Sequence, residues 1–217
     1  MTGLETSVAS SEMTSFKMCI PAVALSGAMV LSCASPVSGR DQDAAKESGE
    51  RTEILFDFSG EEAGKNWVTV NDNVMGGRSK GGFALEGKRL VFAGATNTNG
   101  GGFSSIRSRG AKLDLANSDG VIIRFRGDGR TYKFGARMSR SSAAYRADFE
   151  TNADNGEWQV VRIPFSDLAP SWRGRKLSKS RYPLKKERIE SIGLMIYDKQ
   201  DGPFRLEVDW IKGYANK

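Results

Sequence analysis

The chain has 217 residues, of which 39% are hydrophobic and 27% charged, and its formal net charge is +6. This length fits one domain with an appendage, and the composition excludes a disordered or collagen-like chain. Because the sequence contains no histidine, it also excludes a Ser-His-Asp or Cys-His relay and a histidine-ligated zinc site.

The N-terminal region predicts a lipoprotein signal peptide over residues 1–33. Residues 18–31 are uncharged and follow Lys17 directly. This apolar stretch is too short to span a membrane but is typical of a signal-peptide core. It leads into V-L-S-C-A, which resembles the lipobox of bacterial lipoproteins, with Cys33 as the lipidated residue. The alternatives are a cleaved secretory signal with an incidental cysteine and a buried apolar helix; a start at Met13 would remove two acidic residues from the signal.

The residue after the predicted lipidation site indicates where the protein resides. Ala34 follows Cys33, where an aspartate would imply retention at the inner membrane. We therefore expect a lipid-anchored protein of the cell envelope, on the periplasmic face of the outer membrane. Residues 34–51 are polar and lack aromatic side chains, so they predict a flexible tether. Since both cysteines lie within the first 33 residues, the rest of the chain has no thiol and no disulfide.

Residues 52–217 predict an all-β domain. Apolar and polar side chains alternate over 121–126, 192–197 and 204–210, as in strands with one face in a core. Further strands are expected over 54–58, 89–92, 132–138, 145–150 and 158–163. Many short strands without a helical stripe favour a two-sheet sandwich or jelly roll.

Three details of this β domain follow from the same patterns. The alternation at the last strand assigns Trp210 to the core, where its truncation to alanine should cost about 3 to 5 kcal/mol. The segments 127–130 and 198–202 are rich in Gly and Asp. We expect both to form hairpin turns between neighbouring strands.

The segment W-V-T-V-N-D-N-V-M-G-G-R-S, residues 67–79, is the first candidate for a binding loop. Its strand-like start leads into Asn71 and Asp72, whose polar groups can point outward. Gly76 and Gly77 would let a ligand approach the backbone. A glycine-rich turn is the alternative, with Asp72 capping backbone N–H groups instead of meeting a ligand. A second glycine-rich segment, 97–103, lacks the spacing of a nucleotide-binding loop.

Residues 172–188 are strongly basic, with eight Lys or Arg and one acid. The segment predicts either a solvated loop or a surface for an anionic partner. Nucleic acid is not expected as that partner for a protein outside the cytoplasm.

Five segments, taken in order, resemble the complex I intermediate-associated protein 30 family. They are WVTVNDNVMGGRS, NGGGFSSIRS, DGVIIRFRGDGRTYKF, EWQVVRIPFSDLAPSWRGR and IESIGLMIYDKQDGPFRLEVDWI, and the resemblance extends over residues 54–214. It implies a galactose-binding-like β-sandwich. Because the chain has no histidine and no recognisable nucleophile with a base, we expect this domain to bind without catalysing a reaction. The resemblance also implies the role of the mitochondrial members, which help to assemble membrane-arm intermediates of respiratory complex I. A periplasm-facing lipoprotein lies on the wrong side for much of that assembly, so the resemblance predicts the fold better than the function.

Two classes of function remain open, and the chain is expected to be monomeric in both. One is an envelope-tethered, chaperone-like assembly factor that binds protein; the other resembles a carbohydrate-binding module and binds a glycan or small ligand. Candidates for sugar recognition are Trp67, Asn71, Asp72, Arg107, Asp128 and Tyr132. Candidates for protein binding are Trp172, Arg173 and Arg175. The family-like motif adds Met75, Gly76, Gly77 and Ser79.

No cofactor is expected apart from one candidate metal. The galactose-binding-like resemblance implies a structural calcium between an acid of the last strand, Asp209, and one of the first, here Asp57. Two oxygen ligands fall well short of the six to eight that calcium takes.

Overall fold

The computed structural model describes residues 50–60, 62–109, 113–153 and 156–216. The predicted signal peptide, the lipidation site Cys33 and nearly all of the tether lie outside the described residues. Residues 47–217 form one compact unit. The described ranges contain no helix long and apolar enough to cross a membrane.

Within these ranges the chain forms two antiparallel sheets and no α-helix. Sheet A consists of β1 (Arg51–Phe56), β3 (Lys80–Glu86), β4 (Arg89–Thr96), β6 (Gly120–Arg126), β9 (Gln159–Pro164) and β13 (Gly202–Ala215). Sheet B consists of β2 (Trp67–Asn71), β5 (Ser104–Ser108), β7 (Thr131–Met138), β8 (Ala144–Glu150), β10 (Ala169–Trp172), β11 (Arg175–Lys176) and β12 (Ile189–Ile196). Short 3₁₀ helices span Asp72–Met75, Phe165–Asp167 and Lys186–Arg188.

The strand order places β13 inside sheet A and β12 inside sheet B. Sheet A runs β3-β4-β13-β6-β9, with β1 paired to the C-terminal part of β13. Sheet B runs β11-β10-β8-β7-β12-β5-β2. The two-layer arrangement confirms the predicted β-sandwich.

The core lies between the two sheets and follows the period-2 pattern of the strands. In β7, Tyr132, Phe134 and Ala136 are buried while the residues between them are partly exposed. Phe92 of β4 packs edge-on against Phe204 of β13, with ring centroids 4.9 Å apart. The alternation that predicts the strands is thus the alternation that fills the core.

The expectation that Trp210 belongs to the core is wrong. The register between β13 and β6 shifts between Val208 and Trp210, which is a β-bulge. Because the bulge moves the alternation by one residue, Val208 and Ile211 are buried whereas Trp210 is only half-buried. The Lys212 ammonium lies 4.1 Å from the centre of the Trp210 ring, so the two side chains share the outer face of sheet A.

The two predicted hairpin turns are also corrected, because each connects strands of different sheets. Residues 127–130 lead from β6 in sheet A to β7 in sheet B, and residues 197–201 lead from β12 back to β13. Arg130 joins the two connections. Its guanidinium donates to both carboxylate oxygens of Asp198, at 2.8 and 2.7 Å, and to the carbonyl oxygens of Gln200 and Pro203. This ion pair therefore closes one end of the sandwich.

Candidate functional site

Asp72 is fully buried and binds the chain's own backbone. Its carboxylate accepts hydrogen bonds from the hydroxyl and N–H of Ser79, at 2.6 and 2.9 Å, and from the N–H groups of Gly102 and Phe103, at 2.7 and 3.2 Å. Burial alone would raise the pKa of Asp72, but these hydrogen bonds outweigh it and hold the pKa below its usual value. The prediction that Asp72 meets a ligand is therefore corrected: the carboxylate holds two loops together.

The rest of the 67–79 motif divides into interior and exposed residues. The Asn71 amide donates to the Gly81 carbonyl at 3.0 Å and accepts from the Ser104 hydroxyl at 2.6 Å, so Asn71, like Ser79, is engaged internally. A Cβ on Gly77 would overlap the Asp72 carboxylate, which explains the glycine there. Gly76 has φ +86° and ends the 3₁₀ helix, while Met75 is exposed.

Two predicted sugar-binding aromatics are core residues. Trp67 packs against Phe56 and Phe58, with ring centroids 5.1 and 5.7 Å away. Tyr132 is fully buried, and its hydroxyl donates to Asp128 at 3.0 Å. Burial, followed by the nearby Asp128 charge, raises the pKa of Tyr132. Neither ring can serve as a platform for a sugar, which corrects that prediction.

Asp128 is likewise engaged within the protein. Besides the Tyr132 hydroxyl, it accepts from the backbone N–H groups of Arg205 and Arg130, at 2.7 and 3.1 Å. Since Asp128 is only partly buried, its assignment as a ligand contact stays a prediction.

The candidates Trp172, Arg173 and Arg175 lie at the tip of the β10–β11 hairpin. Arg173 and Gly174 both have positive φ, 47° and 80°, as a tight two-residue turn requires. Trp172 is 43% exposed, and the Arg173 guanidinium lies 5.0 Å from the centre of its ring. These residues remain available to a partner, and their role stays a prediction.

The basic segment 172–188 is partly fixed to the sandwich. Lys179 donates to the Ser166 carbonyl at 2.6 Å, and Lys186 forms an ion pair with Asp119 at 3.1 Å. Its charge is therefore only in part available to an anionic partner.

The predicted calcium pair has other partners. Asp57 accepts from the N–H and hydroxyl of Ser59, at 3.2 and 2.9 Å, and Asp209 forms an ion pair with Arg124. The residues that the structure describes contain no group of three or more His, Cys, Asp or Glu that could hold a metal ion. Both carboxylates thus have partners within the protein, and a metal shared by Asp57 and Asp209 stays a prediction.

The strongest candidate site lies on the outer face of sheet B. Strand pairing places four residues side by side in one row across the sheet: Arg107 of β5, Gly193 of β12, Gly135 of β7 and Arg146 of β8. Arg137 points to the same face from the next row. We call this depression, with its three arginines and its floor of two glycines, the arginine trough. Ser105, Ser191 and Met195 also line it.

The charges of the arginine trough are not compensated within the described part of the protein. Arg146 donates to the Ser171 hydroxyl at 2.9 Å, whereas the Arg107 and Arg137 side chains make no hydrogen bond or ion pair with any described residue. Burial lowers the pKa of all three arginines. The neighbouring cations lower it further for Arg107 and Arg146. Half-buried guanidinium groups that repel one another favour a bound anion.

Of the trough residues, only Arg107 was among the sequence candidates. Arg137 could have been assigned to an outward position, because it alternates with the apolar series of β7. Its proximity to Arg107 and Arg146 could not be deduced, since it depends on the order β8-β7-β12-β5.

Comparison with known families and relatives gives matches that cover most of the chain. The family model of complex I intermediate-associated protein 30 (CIA30) matches residues 56–208. The mouse protein "Complex I intermediate-associated protein 30, mitochondrial" is 29% identical over 185 residues, which are 75% of this chain and 56% of the mouse protein. A Caenorhabditis elegans protein, "Probable complex I intermediate-associated protein 30, mitochondrial", is 34% identical over 98 residues, or 43% of this chain and 28% of that protein. The chain thus spans about half or less of the length of these curated relatives.

Among solved structures, a family 11 carbohydrate-binding module from Clostridium thermocellum, in complex with a β-1,3-1,4-mixed-linked tetrasaccharide, has the same fold. The TM-score is 0.53, and the match covers 76% of this chain and 96% of the module. The sequence identity is 15%, so the likeness concerns the fold alone. It confirms the predicted galactose-binding-like sandwich.

Proposed function

Because the chain belongs to the complex I intermediate-associated protein 30 family, we propose that its sandwich is a non-catalytic module that binds a protein partner, as an assembly factor does. The arginine trough on sheet B is the proposed contact surface. The observation that carries this proposal is the presence of three half-buried arginines over a glycine floor, without a described counter-charge.

The composition of the trough supports binding rather than catalysis. Its lining residues include arginine, serine, glycine and methionine, but no carboxylate that could act as a general base. Two carboxylates elsewhere in the sandwich, Asp72 and Asp198, are occupied by internal hydrogen bonds.

The same composition favours a protein over a neutral glycan. Arginine is enriched among the residues that dominate protein–protein binding energy. Sugar rings stack on aromatic side chains, and the trough lining contains none. The sequence candidates that would have supplied such a platform, Trp67 and Tyr132, are buried.

We further propose that the module acts in the cell envelope, tethered by lipid at Cys33. The support is the uncharged stretch before V-L-S-C-A and the polar segment that follows it. A flexible tether would let the trough reach a partner near the membrane.

The test is site-specific photocrosslinking in intact cells. A photoreactive amino acid replaces Met195, which lines the trough, or Val160, which is exposed on β9 of the opposite sheet. We expect one protein, identified by mass spectrometry, to be crosslinked from position 195 and not from position 160. Substitution of both Arg107 and Arg146 by glutamine should reduce that crosslink at least tenfold, whereas Arg51→Gln, at an exposed site on sheet A, should not.

Two results would contradict the proposal. One is a set of crosslinks that is the same from both positions. The other is specific retention of a neutral oligosaccharide on a glycan array that depends on Arg107 and Arg146, which would favour the glycan-binding alternative.

A further inference from the structure

We propose that the arginine trough is an oxyanion site, in which the guanidinium groups of Arg107, Arg137 and Arg146 converge on one carboxylate or phosphate group above Gly135 and Gly193. This assignment rests on the proposed function for the source of the anion, a partner protein, but not for the anion site itself.

The spacing of the arginines lets them converge. Arg107 and Arg146 are separated by two strands, and neighbouring strands lie about 4.8 Å apart, so their Cα atoms are roughly 14 Å apart. Two extended arginine side chains can cover most of this distance, but Arg146 donates to the Ser171 hydroxyl of β10, on the far side of β8. Convergence on one anion therefore requires the Arg146 guanidinium to turn toward β7. Arg137 stands one row away and adds a third guanidinium. The spacing is therefore compatible with one small anion held between the guanidinium groups.

The floor of the trough leaves room for that anion. The two residues between Arg107 and Arg146 are Gly193 and Gly135, so no side chain rises between the guanidinium groups. A Cβ on Gly193 would overlap the Ile106 carbonyl oxygen, and packing therefore requires glycine there. Gly135 is different, because a Cβ there would make only ordinary contacts, the nearest at 3.7 Å. Local packing therefore does not require glycine at position 135. An open floor between the guanidinium groups does require it.

The charges around the trough point to an anion from outside. The charged groups that lower the pKa of Arg107 are Arg137 and Arg109, both cations. Those that lower the pKa of Arg146 are Arg137 and Arg107, again both cations. The carboxylate nearest in register is Asp148, two residues from Arg146 along β8, and it is ion-paired with Lys133 at 2.6 Å. Guanidinium groups bind carboxylate and phosphate oxygens through paired, charge-assisted hydrogen bonds. An incoming oxyanion would therefore satisfy donors that the described residues leave without an acceptor.

The experiment measures anion binding to the full chain, purified in detergent, at constant ionic strength. The probes are inorganic phosphate and a short peptide rich in glutamate, with chloride as the reference salt. Binding is followed by titration calorimetry and by the change of the arginine side-chain NMR signals. We expect saturable binding of at least one probe, with a stoichiometry of one and with shifts in the signals of the trough arginines.

Two variants test the site in different ways. Arg107→Gln combined with Arg146→Gln removes charge and should weaken binding at least tenfold. Gly135→Val keeps all charges but fills the floor, and it should weaken binding at least as much. Arg51→Gln, which removes an exposed arginine of β1 in sheet A, outside both the trough and the basic segment 172–188, should leave binding unchanged. Circular dichroism establishes that each variant is folded, and the arginine pair still tests the proposal if Gly135→Val does not fold.

Each outcome supports or contradicts the oxyanion site, the identity of its ligand, or the protein-binding function. Tighter binding of the glutamate peptide identifies a carboxylate as the ligand, and tighter binding of phosphate identifies a phosphate; both support the oxyanion site. Absence of saturable binding to the wild type overturns it, and so does equal binding by the wild type and the arginine pair. Oxyanion binding without a crosslinked partner would leave the site intact and overturn only the protein-binding function.

Discussion

At the scale of single residues, Asp72 connects two glycine-rich loops through one buried carboxylate. Four donors from residues 79, 102 and 103 surround it. Gly77 and Gly101 both lie where a Cβ would overlap its side chain. The motif that looks like a ligand loop in sequence is thus a loop built around an internal anion.

The first prediction concerns the charge of Asp72. In Asp72→Asn one acceptor oxygen becomes a donor that faces N–H groups, so charge-assisted hydrogen bonds are lost. We expect a loss of about 2 to 3 kcal/mol, which lowers the melting temperature by roughly 5 to 10 °C in a domain of this size. Thermal unfolding followed by circular dichroism measures this. Asp167→Asn, at an exposed aspartate, should change the melting temperature little.

The pH dependence of the same variant provides a second readout. Because the pKa of Asp72 is lowered in the folded protein, its contribution to stability is present above the pKa of the unfolded chain and is lost as the pH falls through the folded pKa. The difference in stability between wild type and Asp72→Asn should therefore be largest near pH 7 and shrink below about pH 4. A difference that stays constant from pH 7 to pH 3 would contradict this role of the carboxylate.

At the scale of elements, the bulge in β13 decides which large side chain stabilises the core. Ile211 is buried and Trp210 is half-buried on the outer face. We expect Ile211→Ala to cost about 2 to 5 kcal/mol, as for other buried aliphatic residues. Trp210→Ala should lower the free energy of unfolding by less, because removing a ring from the outer face leaves no cavity in the core. Urea unfolding of the two variants gives the comparison, and a larger loss of stability for Trp210→Ala would contradict the position of its ring on the outer face of sheet A.

The two connections between the sheets give another prediction at this scale. Asp198 has a side chain only 4% exposed, so removing its partner leaves a buried charge. Arg130→Gln should therefore cost about 3 to 5 kcal/mol. The matched control is Lys133→Gln, whose partner Asp148 is 60% exposed and whose loss should cost at most about 1 kcal/mol. Urea midpoints that shift equally in the two variants would contradict the role of Arg130 in closing the sandwich.

The strands differ in how well the sequence predicts them, and the physical reason is visible in two cases. β7 has a strict alternation of buried and outward residues, so its extent is readable. β5, with the sequence SSIRS, contains only one buried apolar residue and gives no such signal, although it carries Arg107. The trough depends on β5, β12, β7 and β8 being neighbours. Alternation within a strand contains no information on which strand lies beside it.

At the scale of the whole molecule, the stability of the described sandwich and the predicted lipidation in the N-terminal region are separate questions. The sandwich holds together through its core and the Arg130 ion pair, and neither requires a cysteine. The two cysteines of the chain belong to the N-terminal 33 residues. A variant of the predicted lipidation site, Cys33, should therefore change the location of the protein without changing the folded domain.

The last prediction is that Cys33 is lipidated and anchors the protein in the envelope. Cells labelled with a fatty-acid analogue should incorporate the label into the wild type but not into Cys33→Ser, and only the wild type should remain in the membrane fraction. Cys19→Ser is the matched control, because it removes the other cysteine and leaves V-L-S-C-A intact; it should be labelled like the wild type. Unfolding of the solubilised sandwich should be the same in all three proteins, since the described core contains no cysteine. Equal labelling of wild type and Cys33→Ser would contradict the anchor, and loss of label only in Cys19→Ser would move the modification to the other cysteine.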